Sequence, residues 1–266
     1  MIYKMIFLNT DILSLIFEYN NNLSLLDTCK SLYFQKKYII YIKLGKKNSN
    51  KYYVDEDYRK KILNLVNNPK RQLSLDLSNN HNIIDVSFLG NLNSLYLYGC
   101  KNISDVSYLG NLYTLDLCCC PNVRDVSSLG KVYKLYLNFC LNIEDVSALG
   151  NVHTLYLRGC NKISDVSLLR NVHTLNLREC CSLKDVSSLG NVHTLDLTAC
   201  YQITDVSALG NVHTLNLTFC DNIIDVSSLG NVHTLDVSCC QNIRDISALR
   251  NVHELILINS RNIDGF

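Results

Sequence analysis

The chain has 266 residues, 47% of them apolar, and a formal charge of +1 at neutral pH. No apolar run reaches the ~20 residues that a membrane-spanning helix requires, so we expect no membrane partner. Residues 1–70 hold 12 Lys and Arg against 6 Asp and Glu, and residues 71–266 hold 13 against 18; this change indicates a boundary near residue 70, and the acidic part has no Lys/Arg stripe of the kind that binds nucleic acid.

Near the N-terminus, apolar residues recur at helical spacing and predict three short helices. The apolar residues of the first two are Leu8, Ile12, Leu13, Ile16 and Phe17, then Leu23, Leu25, Leu26, Cys29 and Leu32. Asn9 or Thr10 would cap the first helix, and the third runs from Tyr38 to Leu44. We therefore expect a small, all-helical domain over residues 5–44.

The next stretch, residues 45–70, is predicted to join this domain to the rest of the chain. Residues 45–53, with the sequence GKKNSNKYY, are mostly polar and look like a linker. Asp55 to Asn67 has the pattern of a helix, which would cover the first coil of the region that follows.

From Arg71 almost to the C-terminus, the sequence repeats with a period of 20 residues. Residues 151–170 read NVHTLYLRGCNKISDVSLLR, and residues 191–210 read NVHTLDLTACYQITDVSALG. A fixed period of this length is the signature of a solenoid, whose units bury a core only against their neighbours. Residues 71–266 are therefore predicted to form one solenoid with a long surface for binding.

The motif L-x-L-x-x-C recurs in most of the 20-residue rows, for example at Leu155, Leu157 and Cys160. Such alternation predicts a short strand with one buried face, and ten of these strands are centred on Leu75 through Leu255. This is the pattern of a leucine-rich repeat, so the predicted fold is an α/β solenoid with a curved parallel sheet of about ten short strands. Because the rows are short, we expect a turn or 3₁₀ segment, not a full helix, on the other side.

Two columns of identical residues each allow a structural and a functional interpretation. The Cys column consists of Cys100, Cys120, Cys140, Cys160, Cys180, Cys200, Cys220 and Cys240. These are either small buried side chains in a reducing compartment or a metal-binding or redox ladder. Nine Asp, from Asp85 to Asp245, either cap the turn by accepting the N–H of the Ser two residues later or form a calcium ladder. We predict free thiols, Asp caps, no metal ion and a cytoplasmic location.

Six His, from His153 to His253, form a third column at the edge of the predicted sheet. Strand spacing sets them ~5 Å apart, where neutral imidazoles can stack and charged ones would repel each other. A zinc-binding face is the alternative. Asn93, Tyr113 and Tyr133 occupy this column in earlier rows, so the sheet does not depend on His.

The columns that vary between rows lie on the outward side of the strands. Rows two to six concentrate Tyr and Arg there, and these residues are over-represented at interface hot spots because they bring large area and directional bonds. The alternative explanation is that Tyr suits a strand. The predicted target-binding face consists of Tyr96, Tyr98, Tyr136, Tyr156, Arg158 and Arg178.

Residues 7–37 resemble an F-box, with L-x-x-D-I-L-x-x-I-F followed by a leucine stripe that ends in C-K-S-L. The usual Leu-Pro opening is Leu8-Asn9 here, and the chain has no Trp. The repeats, clearest as L-x-L-x-x-C-x-x-I-T-D at Leu195 to Asp205, are similar to the cysteine-containing leucine-rich repeats of F-box proteins, and I-x-D-V-S-x-L is similar to internalin-like repeats. With its Asn-, Ile-, Lys- and Tyr-rich composition, the chain resembles F-box/leucine-rich-repeat proteins of large DNA viruses of amoebae.

This resemblance implies a substrate-recognition subunit of an SCF-type cullin–RING ubiquitin ligase, located in the host cytoplasm for a viral protein. A Skp-type adaptor would bind the N-terminal helices, and the solenoid would hold an unknown protein target. The implied adaptor-binding residues are Leu8, Ile12, Leu13, Ile16, Phe17, Leu25 and Leu26. A binding or scaffold solenoid without ligase contact is the alternative. We expect no enzyme activity and no cofactor, because the sequence has no nucleophile–base pair, phosphate loop or acid pair outside the repeat pattern.

Overall fold

One parallel sheet runs through the part of the chain that this computed structural model describes, namely residues 6–8, 40–65 and 73–259. Its twelve strands are hydrogen-bonded in chain order. They are β1 (Ile6–Leu8), β2 (Ile40–Leu44), β3 (Leu73–Asp76), β4 (Ser94–Tyr96), β5 (Thr114–Asp116), β6 (Lys134–Tyr136), β7 (Thr154–Tyr156), β8 (Thr174–Asn176), β9 (Thr194–Asp196), β10 (Thr214–Asn216), β11 (Thr234–Asp236) and β12 (Glu254–Ile256). Strands β3–β12 confirm the ten that the repeats predicted, and residues 20 apart face each other in register, as Leu155 and Leu175 do.

Every inner row buries the same seven columns. In residues 151–170 the side chains that are at most 2% exposed are Val152, Leu155, Leu157, Cys160, Ile163, Val166 and Leu169. Alternation along the strand turns Leu155 and Leu157 inward. The rest of the row contributes the other five buried side chains. Burial of one large apolar side chain stabilises the fold by roughly 1.5–3 kcal/mol. Because a row consists of only one strand and one turn, its side chains are buried only when the neighbouring rows cover them.

A short 3₁₀ segment forms the opposite side of each row, as expected for a 20-residue repeat. The described segments are Ser87–Leu89, Ser107–Leu109, Ser127–Leu129, Ser147–Leu149, Ser167–Leu169, Ser187–Asn191, Ser207–Leu209, Ser227–Leu229 and Ser247–Asn251. Before each of them an Asp Oδ1 accepts the N–H of the Ser two residues later, at 2.8–2.9 Å. This bond lowers the pKa of Asp165, for example. The predicted Asp caps are therefore confirmed.

Two helices, α1 (Lys46–Val54) and α2 (Glu56–Leu65), stand at the start of the solenoid. The second confirms the predicted helix over residues 55–67. The predicted linker over residues 45–53 is wrong, because most of it forms α1. This polar sequence includes a buried serine, because Ser49 lies inside the structure and is 0% exposed.

Ser49 joins α1 to two strands. Its hydroxyl donates to the carbonyl oxygen of Leu44 in β2 and accepts the N–H of Asp76 in β3, both at 2.9 Å. The second bond connects residues 27 positions apart, which composition alone cannot indicate. A Lys-rich segment is thereby held on the core.

Arg59 of α2 fixes both helices to the first row. Its Nη1 donates to the carbonyls of Tyr52 and Tyr53 at 3.0 Å, and its guanidinium lies 4.5 Å from the ring centre of Phe88. The Tyr53 hydroxyl in turn donates to the Asp85 carbonyl at 3.0 Å. Burial raises the pKa of Tyr52 to about 12, consistent with a ring that belongs to the core.

The third predicted helix, Tyr38 to Leu44, is wrong, because Ile40–Leu44 forms β2 between β1 and β3. Its sequence IYIKL has β-branched residues at alternate positions, which favours a strand where a neighbouring strand can pair with it. Leu8, from the first apolar stripe, is the last residue of β1. The other predicted adaptor-binding residues lie outside the described residues: Ile12, Leu13, Ile16, Phe17, Leu25 and Leu26.

Candidate binding face

The exposed face of the sheet is formed by the residues that alternate with the buried leucines. Tyr156 and Arg158 point to this face, whereas Leu155 and Leu157 fill the core. The register places each residue beside its counterpart in the next row, as Tyr136 lies beside Tyr156. Differences between rows therefore appear as neighbouring patches on one surface.

Tyr136 and Tyr156 form an aromatic platform. Their rings stack at 4.9 Å between centroids with 17° between their planes. Both side chains are half-buried, and burial raises the pKa of Tyr136. The pair offers a flat apolar surface with two hydroxyl groups at its border, which suits a protein partner.

Glu179 holds the two arginines of the face. Arg158 donates from Nη2 to Glu179 Oε1 at 2.9 Å and from Nε to Oε2 at 3.4 Å, and Arg178 donates from Nε to Oε1 at 3.2 Å. The hydrogen bond from Arg158 and the contact with Arg178 lower the pKa of the Glu179 carboxyl. One carboxylate thus positions two guanidinium groups, and the cluster keeps a net positive charge.

Phe139 extends the platform beside Arg158, whose guanidinium lies 5.3 Å from the ring centre. The Phe139 side chain is 39% exposed, and its backbone has φ of 58°, a conformation that bulky residues seldom adopt. Gly159 in the next row leaves room for the Phe139 ring, because a Cβ at position 159 would collide with that ring. Strained backbone of this kind is tolerated only where the surroundings determine it.

The structure brings four of the six predicted face residues together. The contiguous four are Tyr136, Tyr156, Arg158 and Arg178. Tyr96 is separated from them by Asp116 and has the Lys43 ammonium 4.9 Å from its ring centre. Tyr98 is 44% exposed, and its neighbour Cys119 raises its pKa.

The sequence pattern did not indicate Phe139 and Glu179, because they are not in the two alternating outward columns. They occupy the column immediately after, where the chain leaves the strand with positive φ. A signal for them was present, since this column also varies strongly: Gly99, Cys119, Phe139, Gly159 and Glu179 follow each other in successive rows.

Later rows of the same face are polar and bonded to one another. Asn176 Nδ2 donates to Asp196 Oδ2 at 2.8 Å, and the Thr198 hydroxyl donates to Asp196 Oδ1 at 2.6 Å. The Thr198 hydroxyl oxygen is also 3.0 Å from Asn216 Oδ1. These rows present small polar and acidic groups, whereas the earlier rows present aromatic rings and two guanidinium groups.

The predicted His stack is confirmed along the sheet edge. Neighbouring rings from His153 to His253 lie 4.4–4.7 Å apart, with 9–18° between their planes, and Tyr133 and Tyr113 continue the stack. Each Nδ1 from His153 to His233 is 3.2–3.3 Å from the hydroxyl oxygen of the following Thr. Within residues 40–65 and 73–259, no three His, Cys, Asp or Glu side chains converge on a point where a metal ion could sit.

The Cys column is buried, as predicted, and its thiols are free. Each Sγ–H donates to the carbonyl oxygen of a Leu in the preceding row at 3.0–3.3 Å. Burial raises the pKa of Cys160 to about 12 and that of Cys240 to about 11. Inside the core, these thiols are weak hydrogen-bond donors to the backbone. The first row has Asn80 in the same column.

No family model matches the sequence, and no curated protein matches it. Among solved structures, an internalin (inlF) from Listeria monocytogenes is similar with 23% identity and a TM-score of 0.52, over 70% of this chain and 66% of that chain. TLR13, solved as a complex with ssRNA13, has 20% identity and a TM-score of 0.51, over 77% and 38%. The chain therefore spans less than two thirds of either structure. The likeness confirms the fold, a leucine-rich-repeat solenoid.

The helices in the described part of the chain are short. None of those in residues 40–65 or 73–259 is long and apolar enough to cross a membrane. The longest of them, α2, has 10 residues, about half the length that a membrane span needs.

Replacing His213 by Ala should lower the free energy of unfolding by about 1 kcal/mol, because it removes two ring contacts from the stack. Replacing it by Tyr, which occupies this column in two earlier rows, should leave the stability almost unchanged. The urea midpoints of the two variants and the parent chain measure this. Equal losses for Ala and Tyr would show that the stack does not stabilise the edge.

The buried thiols should react far more slowly than the half-exposed Cys119, Cys181 and Cys239. Only a thiolate attacks a disulfide reagent, and the raised pKa of the buried column leaves almost no thiolate at pH 8. Mass spectrometry after brief labelling of the native chain with a disulfide reagent measures this site by site. Labelling in denaturant is the control, and equal native rates for Cys160 and Cys181 would contradict the prediction.

Proposed function

We propose that the chain is a protein-recognition subunit that holds a protein target on the sheet face. The observation that carries this proposal is the contiguous group of Tyr136, Tyr156, Arg158 and Arg178, with Phe139 beside it. Stacked rings and oriented guanidinium groups supply area and directional bonds, the two properties of interface hot spots. Because Glu179 and the rigid sheet already fix these groups, binding immobilises few side chains.

We further propose that the N-terminal segment attaches this subunit to an SCF-type cullin–RING ubiquitin ligase. The support is the resemblance of residues 7–37 to an F-box. Since Leu8 belongs to β1, we assign the contact with a Skp-type adaptor to the other residues that the resemblance implies, namely Ile12, Leu13, Ile16, Phe17, Leu25 and Leu26. The solenoid raises the local concentration of the target near the ubiquitin-transferring subunit and supplies no catalytic group. For a viral protein in the cytoplasm of its host, the target is a host protein.

A second candidate function is target binding without ligase contact. The observation in its favour is that the described N-terminal elements complete the solenoid: β1 and β2 extend the sheet, and α1 and α2 pack on the first row. On this proposal the N-terminal region is an end cap. The two candidates share the target-binding face and differ only in the adaptor.

A photo-crosslinking residue at Tyr156 should capture the target in cells, whereas the same residue at Tyr108 should not. Tyr108 is 58% exposed on the turn side of the solenoid and thus more exposed than the half-buried Tyr156, so poor access could not explain a lack of capture there. Adding Arg158→Ala to the Tyr156 probe should reduce capture about tenfold or more, the effect of removing one hot-spot side chain. Equal capture from both sides of the solenoid would argue against the proposed face.

Full-length chain should co-purify with a Skp-type adaptor, and the double substitution Ile12→Asp, Ile16→Asp should abolish this binding, because it places two charges in an apolar contact. Ile84→Asp is the control, since Ile84 is 66% exposed on the solenoid. A circular dichroism melt shows whether each variant keeps its fold. Absence of adaptor binding by the unsubstituted chain would favour the second candidate.

A further inference from the structure

The positive charges of the sheet face are concentrated in three neighbouring rows. Alternation with the buried leucines assigns three columns to this face, those of Thr154, Tyr156 and Arg158. Over the ten rows, these columns contain Lys or Arg at three positions, all in rows four to six: Lys134, Arg158 and Arg178. Their acidic residues lie in other rows: Asp76, Asp116, Asp196, Asp236 and Glu254. The centre of the face therefore has an excess of positive charge, even with the Glu179 carboxylate beside it, and both flanks are acidic.

The two arginines keep hydrogen-bond donors for a partner. Arg178 binds Glu179 through Nε, and within the described residues its two terminal nitrogens meet no acceptor. Arg158 uses Nε and Nη2 for the same carboxylate, which leaves its Nη1. The Arg158 side chain is 39% exposed and that of Arg178 is 40% exposed. The terminal nitrogens of Arg178 thus form a planar fork that is fixed from behind and open to solvent.

Aromatic surface lies beside these donors. The stacked rings of Tyr136 and Tyr156 occupy rows four and five, Phe139 contacts the Arg158 guanidinium, and Arg178 is in row six. Two strand steps separate rows four and six, which is about 10 Å, the length of about three residues of extended chain. One short segment of a partner can therefore contact the rings and the guanidinium fork together.

We propose that the target segment bound by this face carries one Asp or Glu side chain close to an aromatic or large aliphatic one. This inference rests on the proposed function and names the chemistry of the target. The carboxylate accepts two parallel N–H bonds from the fork of Arg178, a geometry that guanidinium and carboxylate groups share. The neighbouring apolar side chain packs on the rings of Tyr136 and Tyr156.

The charges around the fork select for a single carboxylate. Asp116 and Asp196 stand in the rows on either side of rows four to six and repel a segment that is acidic throughout. Together with Glu179, they also repel a phosphate, which carries nearly two negative charges, more strongly than a carboxylate with one. We therefore assign the acidic group to Asp or Glu and not to a phosphorylated residue.

Selection of random phage-displayed peptides on the immobilised full-length chain tests the proposal. Peptides that crosslink to a photo-reactive residue at Tyr156 should be enriched in Asp or Glu near an aromatic or large aliphatic residue, relative to the unselected library. In the tightest of them, replacing the acid by its amide should weaken binding to the unsubstituted chain about tenfold or more. On Arg178→Gln the same replacement should change binding little, because the partner of the acid is already absent. The column has Asn138 and Thr198 in other rows, so the fold should tolerate Gln.

Lys162→Gln is the matched control, because it removes the same charge outside the sheet face. Lys162 is 46% exposed and pairs with Glu144 at 2.8 Å. On this variant the acidic peptide should bind as it does to the unsubstituted chain. Equal weakening by Lys162→Gln and Arg178→Gln would show a general effect of charge and overturn the inference.

The other outcomes separate this inference from the proposed function. Peptides that crosslink at Tyr156 without an excess of Asp or Glu overturn the inference and leave the binding face in place. Selected peptides that bind the chain but never crosslink at Tyr156 count against both. Tighter binding of the same peptide with phosphoserine in place of its acid overturns the assignment to a carboxylate.

Discussion

Burial of each row by its neighbours is the constraint on which the rest of the structure depends. Seven apolar columns are almost fully buried, yet one row of a strand and a turn cannot enclose them alone. The rows must therefore stack in register, and a shift of one residue would turn every buried leucine to solvent. The 20-residue period of the sequence follows from this requirement, because it places the same apolar residues at the same position in every row.

Register has a second consequence, because each residue of a constant column lies about 5 Å from identical residues in the neighbouring rows. Only groups that tolerate such neighbours can fill a column. Imidazoles do so by stacking, and thiols do so by remaining protonated and donating to the preceding row. The Asp carboxylates stay solvent-exposed, and each is committed to a backbone N–H. Each of these three columns therefore has a structural reason to repeat from row to row.

The sequence was sufficient for the solenoid because its signal is repeated ten times, and it was insufficient for the N-terminal region because nothing there repeats. Ile40–Leu44 pairs in the sheet through long-range contacts, and Ser49 holds α1 through bonds to β2 and β3. The alternation placed Tyr156 and Arg158 on the exposed face of the sheet, and the structure has them there. Glu179, which orients Arg158, was missed because it extends from a residue with positive φ just beyond the strand, where alternation no longer determines direction.

The contiguous group of Tyr136, Tyr156, Arg158 and Arg178, called here the Tyr/Arg group, lies in the middle of the solenoid. This position follows from the dependence of each row on its neighbours. In a linear array, terminal rows have one neighbour and open most easily, whereas central rows are held from both sides. Tyr136, Tyr156 and Arg178 belong to the fourth, fifth and sixth of ten rows, so the group lies where fraying from either end is least. A binding face needs side chains whose geometry is fixed before the partner arrives. The centre of the solenoid provides that rigidity, and there the substitution of aromatic and cationic residues for small polar ones leaves the stacking of the rows unchanged.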